Sequence, residues 1–380
     1  MPSLKAAVAD WRRAAAGILP RFAFEYLEGG AEDWRTAARN VSAFENVGLQ
    51  PRVLVDVSEV DPSTELFGEK LAFPAAVGPT GLNGLFRHRA DEFLAAAAGA
   101  AGLPFVLSTA STSHIEAVRA RASGPLWLQL YVQNDRRIAE RWMAEARSHG
   151  FTVLMLTVDT PVAGIRNHYR RNGFTMPLRW TPRLLADIAT HPRWCLSTGV
   201  HGMPQMVNLA RTARQKASIH LQAAAMNEQM ATNLTWDDLP WLRRHWDGPV
   251  LVKGIGSTAD ARLALDHGAD GIVLSNHGGR QLEDAPVALE LLPSVLDAVG
   301  ERMPVLVDGG VQRGSSIAKA VAMGAAAVLL GRAPLYGVAA AGEEGASDVL
   351  AILRNELEIT LRLLGRPRLR QLDRGCVRPL

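Results

Sequence analysis

Short apolar runs alternate with longer segments of helical spacing along most of the chain. Each run spans four to seven residues and lacks the polar alternation of a half-exposed strand, which is typical of strands buried on both faces. The eight runs are Phe73–Val77, Phe105–Ser108, Leu126–Tyr131, Val153–Asp159, Val250–Lys253, Ile272–Ser275, Val305–Asp308 and Val328–Arg332. Alanine-rich segments of helical spacing lie between them: Arg89–Ala101, Ser113–Arg121, Asp135–His149, Ser257–His267, Pro286–Val299 and Gly314–Met323.

This alternation of strand and helix predicts parallel strand pairing. Eight such units in one chain predict a closed (β/α)8 barrel, the TIM-barrel fold. A doubly wound Rossmann-type sheet is the alternative, but no G-x-G-x-x-G motif follows any of the runs. We therefore expect residues 1–380 to form a single domain built on a barrel.

Two segments depart from the alternation. Within the first 70 residues, Trp11–Leu27 predicts a helix that ends at glycine, since Gly29 and Gly30 stand in the C-cap position. The interval between Asp159 and Val250 holds about ninety residues, where about thirty suffice for a crossover. The predicted architecture is thus a TIM barrel with an N-terminal helical segment and a long insertion after the fourth strand.

Composition narrows the class of protein. Hydrophobic residues make up 48% of the 380 residues and charged residues 21%, so the chain can bury a sizeable core. No apolar run is long enough for a membrane-spanning helix, and Met1–Asp10 lacks the apolar core of a secretory signal. Cys195 and Cys376 are the only cysteines; they predict neither a metal site nor a disulfide and fit a reducing, cytoplasmic compartment.

The charge is unevenly distributed along the chain. The net charge is +3, but residues 170–225 carry eight lysines and arginines against one acid, Asp187. Such an excess predicts an anionic surface as partner, and we expect a membrane rather than a nucleic acid. Apolar residues among the arginines favour an interfacial membrane-binding segment: Trp180, Leu184, Leu185, Trp194, Met203 and Met206. An active-site lid or an oligomer contact is the alternative.

Candidate chemistry lies at the carboxyl ends of the predicted strands, where TIM barrels place their active sites. Nearly every strand ends in a residue that can make a hydrogen bond or carry a charge. The residues at the strand ends are Pro79, Thr80, Gly81, Ser108, Gln129, Tyr131, Thr157, Asp159, Lys253, Ser275, His277, Asp308, Gly309, Gly310, Gly331 and Arg332. His277 can accept a proton near neutral pH, and Asp159 can orient it. Arg166 and Arg280 can both face a small anion. This set predicts a substrate with a carboxylate next to an abstractable proton.

Two further features indicate a cofactor. Lys253 ends an apolar run, so it needs an anionic partner or a depressed pKa. It is either a Schiff-base nucleophile, as in aldolases, or a fixed positive charge beside an electron-rich cofactor. The turns Asp308–Gly310 and Gly331–Arg332 follow the seventh and eighth strands, where this fold commonly binds phosphate.

The segment Ser275–Gln281 resembles the active-site signature of the FMN-dependent L-2-hydroxy acid dehydrogenases and oxidases. Leu251–Gly254 and Leu329–Arg332 are similar to the cofactor motifs of that family, and the resemblance extends from about Leu19 to Arg366. Within the family, His191–Trp194 and Val77–Gly84 resemble the membrane-associated mandelate-oxidising branch. The resemblance implies FMN as cofactor, oxidation of a 2-hydroxy acid to a 2-keto acid, and a homo-oligomer, a tetramer.

The resemblance also implies roles for individual residues. His277 is the base, assisted by Asp159; Tyr131 lies near the substrate hydroxyl, and Lys253 stabilises the reduced flavin. The residues implied to hold the substrate carboxylate are Arg166, Arg280 and Tyr26. Those implied to contact the flavin ring or ribityl chain are Ala75, Ala76, Pro79, Thr80, Ser108, Gln129, Thr157 and Ser275. Those implied at the ribityl and phosphate end are Asp308, Gly309, Gly310, Gly331 and Arg332.

Two positions depart from the family pattern. Gln312 stands where the family usually has a phosphate-binding arginine, so Arg332 and Arg313 are expected to supply that charge. Gly81 stands where many relatives carry alanine, which leaves room for an aryl group and favours (S)-mandelate. L-Lactate, or an oxidase that uses oxygen, is the alternative within the family; the basic insertion favours a membrane quinone as acceptor. Outside this family, an FMN-dependent isomerase, a lysine aldolase without cofactor and a membrane-surface binding protein are competing hypotheses.

Overall fold

Eight parallel strands close into a barrel in the computed structural model, which describes residues 5–172, 181–208 and 230–380. Each strand pairs with the next in sequence, and the last pairs with the first. The barrel strands are β1 (Ala75–Val77), β2 (Phe105–Ser108), β3 (Leu126–Leu130), β4 (Val153–Thr157), β5 (Val250–Ile255), β6 (Gly271–Leu274), β7 (Val305–Asp308) and β8 (Ala327–Leu330). The predicted TIM barrel is confirmed, with every strand found within two residues of its predicted bounds.

Helices surround the barrel and continue into both terminal segments. They are α1 (Val8–Ile18), α2 (Arg21–Glu28), α3 (Arg35–Glu45), α4 (Ala90–Ala100), α5 (Ile115–Arg121), α6 (Arg136–Ser148), α7 (Asn167–Arg171), α8 (Pro182–Ala189), α9 (Pro192–Ser197), α10 (Leu239–His245), α11 (Thr258–Asp266), α12 (Ala288–Val299), α13 (Gly314–Ala322), α14 (Arg332–Ala341) and α15 (Glu343–Leu363). The six helical segments predicted between the strands are all found.

The N-terminal helix prediction was wrong in one respect and confirmed in another. The segment Trp11–Leu27 is not one helix. Helix α1 ends with Leu19 as its C-cap, and α2 begins with Pro20 as its N-cap. Proline cannot continue a helix, but its fixed φ suits a helix start. The predicted glycine C-cap is confirmed, because Gly29 is the C-cap of α2, with a φ of −58°. Glycine is needed there for space, because a Cβ would lie 2.2 Å from His168 Nε2.

The interior of the barrel is packed at one end and open at the other. Side chains that point inward from the strands fill the amino-terminal half, among them Trp127, Met155 and Leu251, each 0% exposed. A two-stranded hairpin, Thr64–Leu66 with Glu69–Leu71, closes this end, and Glu69 accepts a 2.9 Å hydrogen bond from the Trp127 indole. The carboxyl ends of the strands are therefore the end available for a ligand.

The insertion packs partly against the barrel, contrary to a purely membrane-facing interpretation of its apolar residues. Leu184, Trp194 and Met206 are only 3%, 3% and 4% exposed, and the Trp194 indole donates to the Leu85 carbonyl at 2.8 Å. Leu185 and Leu196 are exposed. Trp180 and four of the eight basic residues of the segment, Arg179, Arg211, Arg214 and Lys216, lie outside the described residues. Among the described helices, none has the length and apolar character needed to cross a membrane.

Candidate active site

A cavity of about 640 Å³ opens at the carboxyl ends of the strands. All eight strands contribute a residue to its wall directly or through the loop that follows, and α2 contributes Tyr26 and Leu27. Fifteen residues predicted from the sequence lie in this wall: Tyr26, Pro79, Thr80, Gly81, Ser108, Tyr131, Arg166, Lys253, His277, Arg280, Asp308, Gly309, Gly310, Gly331 and Arg332. The fold thus gathers at one place groups that are far apart along the chain.

A histidine and an aspartate form the first functional pair. His277 Nδ1 lies 3.0 and 3.2 Å from the two carboxylate oxygens of Asp159, so its Nε2 is turned to the cavity. Burial alone would raise the pKa of Asp159, but His277 and Lys253 outweigh it and hold that pKa below its ordinary value. The carboxylate is therefore ionised and stabilises a positive imidazole ring. Tyr131 Oη lies 3.5 Å from His277 Nε2, on the cavity side of the ring.

A local hydrogen-bond network fixes this histidine in the turn. His277 has a φ of 59°, an uncommon left-handed conformation for a residue with a side chain. Its backbone N–H donates to Ser275 Oγ at 2.9 Å. The side chains of Asn276 and Asn40 donate to each other at 2.8 Å, and Asn276 also accepts from the Gly279 N–H. Helix α3 therefore holds the turn that presents the histidine.

Two guanidinium groups converge on one phenol oxygen. Arg166 Nη1 donates to Tyr169 Oη at 2.8 Å, and Arg280 Nη2 donates to the same oxygen at 3.1 Å. The other terminal nitrogen of Arg280 donates to the carbonyls of Tyr26 and Gly29, at 2.9 and 2.7 Å. Arg166 Nε is buried and has no hydrogen-bond partner among the described residues. Both guanidinium groups border the cavity, so they can bind a carboxylate there.

A lysine buried at the end of the barrel interior is paired with an aspartate. Lys253 Nζ lies 2.9 Å from Asp308 Oδ2 and donates to Ser275 Oγ at 3.0 Å. Burial alone would lower the pKa of Lys253, but Asp308 and Asp159 outweigh it, and the pKa lies above its ordinary value. The amine is therefore a fixed cation, which disfavours the Schiff-base nucleophile, since that chemistry needs a neutral amine.

Glycines and Arg332 form another part of the cavity wall, where Arg332 shares the Gly29 carbonyl with Arg280. Gly309 and Gly310 have φ of 88° and 83°, and a Cβ on Gly310 would lie 1.9 Å from the Asn40 carbonyl oxygen. Gly331 is the N-cap of α14, so backbone N–H groups of a helix start lie at this wall. The Arg332 side chain donates to the carbonyls of Leu27 and Gly29, both at 3.1 Å. Exposed N–H groups and a guanidinium group are suited to an anion such as phosphate.

Comparison with known proteins identifies the family. A family model described as FMN-dependent dehydrogenase matches residues 15–379. The chain belongs to the FMN-dependent dehydrogenase family. It is 44% identical over 360 residues to (S)-mandelate dehydrogenase from Pseudomonas putida, covering 95% of this chain and 90% of that protein. It is 42% identical over 357 residues to L-lactate dehydrogenase from Caulobacter vibrioides (strain NA1000 / CB15N), covering 94% and 93%.

Solved structures of family members agree. The crystal structure of the monotopic membrane protein (S)-mandelate dehydrogenase superposes with a TM-score of 0.95, at 42% identity and 100% coverage of both chains. A mandelate oxidase structure with benzoyl-formic acid superposes with a TM-score of 0.82, at 32% identity and 96% coverage of both. The protein is therefore an FMN-dependent 2-hydroxy acid dehydrogenase.

The cavity fits the FMN that this family uses. Its volume lies within the range of small-molecule sites. Asp308 Oδ1 is buried without a hydrogen-bond partner among the described residues, which leaves an acceptor for a ligand hydroxyl at the glycine-rich end. Lys253 lies beside the other carboxylate oxygen of Asp308, Oδ2, and its positive charge suits a cofactor that becomes negative on reduction. Among the described residues, no cluster of histidine, cysteine and carboxylate side chains is arranged to bind a metal.

Several predicted residues stand behind the wall rather than in it. Ser108 Oγ donates to Gln129 Oε1 at 3.0 Å, and Gln129 Nε2 donates to Thr157 Oγ1 at 3.0 Å, so a buried chain of hydrogen bonds supports β2–β4. Of these three side chains, Ser108 alone borders the cavity. Ser275 supports His277 and Lys253 from behind in the same way.

Three further predicted cofactor residues do not reach the cavity. Ala75 and Ala76 are 0% exposed inside β1, and the loop Gly78–Gly81 forms the wall instead. Arg313 faces solvent, with 61% of its side chain exposed, and lies 3.6 Å from Glu356 of α15. Arg313 follows the glycine turn by three residues, and its side chain lies on the outside of the barrel. Arg332, Gln312 and the backbone of the two glycine turns, which all line the cavity, are therefore the groups that could bind the phosphate.

Gly81 has a packing role that sequence reasoning missed. A Cβ at this position would lie 2.9 Å from the Ala110 Cβ, so the loop after β1 packs closely on the loop after β2. Tyr169 was missed altogether. It lies in the long insertion after β4, and no motif marks a tyrosine three residues after an arginine. Only the folded chain brings its hydroxyl oxygen between the two guanidinium groups.

Proposed function

We propose that the enzyme oxidises (S)-mandelate, or a similar aryl 2-hydroxy acid, to the 2-keto acid. The observation that carries this is the meeting of the His277–Asp159 pair with the Arg166 and Arg280 guanidinium groups at one cavity. The cavity wall also includes apolar side chains that can hold an aryl ring: Leu27, Phe86, Val162 and Met206. The 44% identical relative named (S)-mandelate dehydrogenase supports the same substrate.

Each side chain has a separate role in the proposed oxidation. Arg166 and Arg280 bind the carboxylate and so orient the carbinol carbon towards His277. His277 Nε2 accepts one proton, either from that carbon or from its hydroxyl, and Asp159 stabilises the imidazolium that forms. Burial raises the pKa of Tyr131, so its hydroxyl stays protonated and donates near the substrate hydroxyl. FMN, when bound, would take up the two electrons together with the second hydrogen of the substrate, and Lys253 would supply a fixed positive charge for the reduced form.

Anaerobic mixing of the FMN-loaded enzyme with a panel of hydroxy acids tests this function. We expect (S)-mandelate to bleach the flavin without added nucleotide, and (R)-mandelate not to. The apolar wall should give (S)-mandelate at least a ~10-fold larger kcat/KM than L-lactate, which lacks the ring. A larger value for L-lactate would favour the lactate dehydrogenase alternative, which the 42% identical Caulobacter relative supports. Absence of bleaching by every hydroxy acid would contradict the proposal.

We further propose that a membrane quinone is the electron acceptor and that the chain binds the inner face of the cell membrane through residues 170–225, as a homo-oligomer. The excess of basic residues in that segment supports this, as does the exposure of Leu185 and Leu196. A relative described as a monotopic membrane protein supports it too.

Vesicle binding and flavin reoxidation test this second proposal. We expect the enzyme to cosediment with vesicles of anionic lipid, less so in high salt, because the attraction of a basic segment is screened. A soluble quinone analogue should reoxidise the reduced flavin at least ~10-fold faster than oxygen does at equal concentration. Equal binding to neutral and anionic vesicles, or faster reoxidation by oxygen, would contradict the proposal.

A further inference from the structure

Tyr169 links the two arginines that face the cavity. Its hydroxyl oxygen accepts one hydrogen bond from Arg166, at 2.8 Å, and one from Arg280, at 3.1 Å. The two cations would otherwise repel each other in a partly enclosed space, where water screens charge less. A hydroxyl oxygen between them, accepting from both, offsets that repulsion and sets the distance between the groups.

The ring of Tyr169 is held firmly enough for this purpose. It stacks on the ring of Tyr26, with centroids 5.6 Å apart and an angle of 23°. Each ring also carries a guanidinium group on its face, Arg166 at 5.5 Å from the Tyr169 centroid and Arg280 at 5.2 Å from the Tyr26 centroid. Two phenols and two cations thus form one cluster, in which the Tyr169 hydroxyl is hydrogen-bonded to both cations.

Helix α7, which carries Tyr169, is anchored on both sides. The Asn172 amide donates to Glu25 of α2 at 2.7 Å. His168 is wedged against Trp34, whose indole donates to its Nδ1 at 3.2 Å. Burial, and then Arg280, lower the pKa of His168 to about 4, so this ring is neutral near neutral pH. The neighbourhood of Tyr169 therefore gains no third positive charge from His168.

We propose that Tyr169 is a positioning residue of the substrate site, whose hydroxyl oxygen fixes the two guanidinium groups at the spacing that a carboxylate needs. This inference rests on the proposed function, in which Arg166 and Arg280 bind the substrate carboxylate. A clamp arranged in advance loses less freedom when the ligand binds, so its affinity is higher. Without the oxygen, the like charges separate in the free enzyme and must be brought together again by the ligand.

The test replaces Tyr169 with Phe, which keeps the ring and removes only the oxygen. In the FMN-loaded enzyme we expect the affinity for 2-keto acids, benzoylformate and pyruvate alike, to fall about 10- to 100-fold, measured by the change in flavin absorbance. The KM for the hydroxy acid should rise by a similar factor, while kcat changes less than about threefold. FMN content and the unfolding midpoint should stay as in the wild type.

Two comparisons show whether the oxygen acts through the arginines. The amide of the same keto acid has no charge for the clamp to bind, so its weaker affinity should not change in Y169F. In an R166Q background the further effect of Y169F should shrink to less than about threefold, because the pair no longer exists. Tyr336→Phe is the matched control: Tyr336 is 1% exposed and outside the cavity wall, and its loss of a hydroxyl should leave ligand affinity unchanged.

Each contrary result has a distinct meaning. Unchanged affinity for 2-keto acids in Y169F, an equal loss for acid and amide, or a full effect in the R166Q background would each overturn the positioning role. Wild-type enzyme with no affinity for any 2-keto acid would instead overturn the proposed function on which this role rests.

Discussion

Replacing His277 with Asn is expected to slow reduction of the flavin by substrate by at least about 10⁴-fold while FMN stays bound. The amide keeps a similar volume in the turn but cannot accept a proton, and the His277 Nε2 is the acceptor that faces the cavity beside the arginines. The cofactor is held mainly by other groups, so the purified variant should remain yellow. Stopped-flow bleaching of the flavin under anaerobic conditions measures the rate, and the ratio of flavin absorbance to protein absorbance measures the FMN content.

Asp159→Asn is the companion variant, because it keeps the imidazole and removes only the charge that stabilises its cationic form. We expect a smaller loss than for H277N, about 10²- to 10³-fold. Substrate affinity should change little in both variants, since the arginines are intact. If H277N bleached its flavin at a rate near that of the wild type, the assignment of the base would be wrong.

The part of this site that follows from the sequence is the part that lies directly at strand ends. An apolar run indicates where a parallel strand ends, and the barrel brings the carboxyl ends of all eight strands to one side. The order of strands along the chain is therefore enough to place Lys253, His277 and Asp308 in one cavity. Their side-chain chemistry then limits the reaction, because a proton acceptor, a buried cation and an anion site have few joint uses.

The part that does not follow depends on contacts between distant segments. Pro20 splits the predicted N-terminal helix, and the turn this makes brings α2 over the cavity, where the Tyr26 carbonyl meets Arg280. Arg313 looks suited to a phosphate by type and spacing, but Glu356 of α15 lies beside it on the outside of the barrel. Tyr169 gains its place from the packing of α7 on α2, which no local pattern indicates. In each case the missing information is a tertiary partner.

Replacing Lys253 with Met is expected to destabilise the fold by about 3–5 kcal/mol and to slow flavin reduction by about 10³-fold or more. Lys253 is only 4% exposed, and its ammonium group lies 2.9 Å from Asp308. Removing one member of a buried ion pair leaves the other charge without compensation, which is the origin of the stability loss. The same change removes the positive charge available to the reduced cofactor. Denaturant unfolding of the FMN-free and FMN-loaded enzyme measures the first effect, and anaerobic bleaching measures the second.

The pH dependence of this stability loss has a defined sign. The pKa of Lys253 is raised above its ordinary value of 10.5, so its contribution to stability is fully present below that value and is lost only as the pH rises through the still higher value of the folded state. The difference in unfolding free energy between wild type and K253M should therefore stay constant from about pH 6 to about pH 9. A difference that disappeared within this window would mean that Lys253 loses its proton there and is not the fixed cation proposed.

A double variant, K253M/D308L, separates the two effects of the lysine. Because neither charge is then buried, most of the lost stability should return, whereas flavin reduction should stay slow or become slower. Lys319→Met serves as the matched control. Lys319 is partly buried, lies outside the cavity wall and donates to the Phe44 backbone carbonyl at 2.7 Å, which is a neutral acceptor and not a carboxylate. It should cost about 1–2 kcal/mol and leave flavin reduction unchanged. Recovery of the reduction rate in the double variant would show that K253M had acted through the stranded aspartate, and that the positive charge itself is not required.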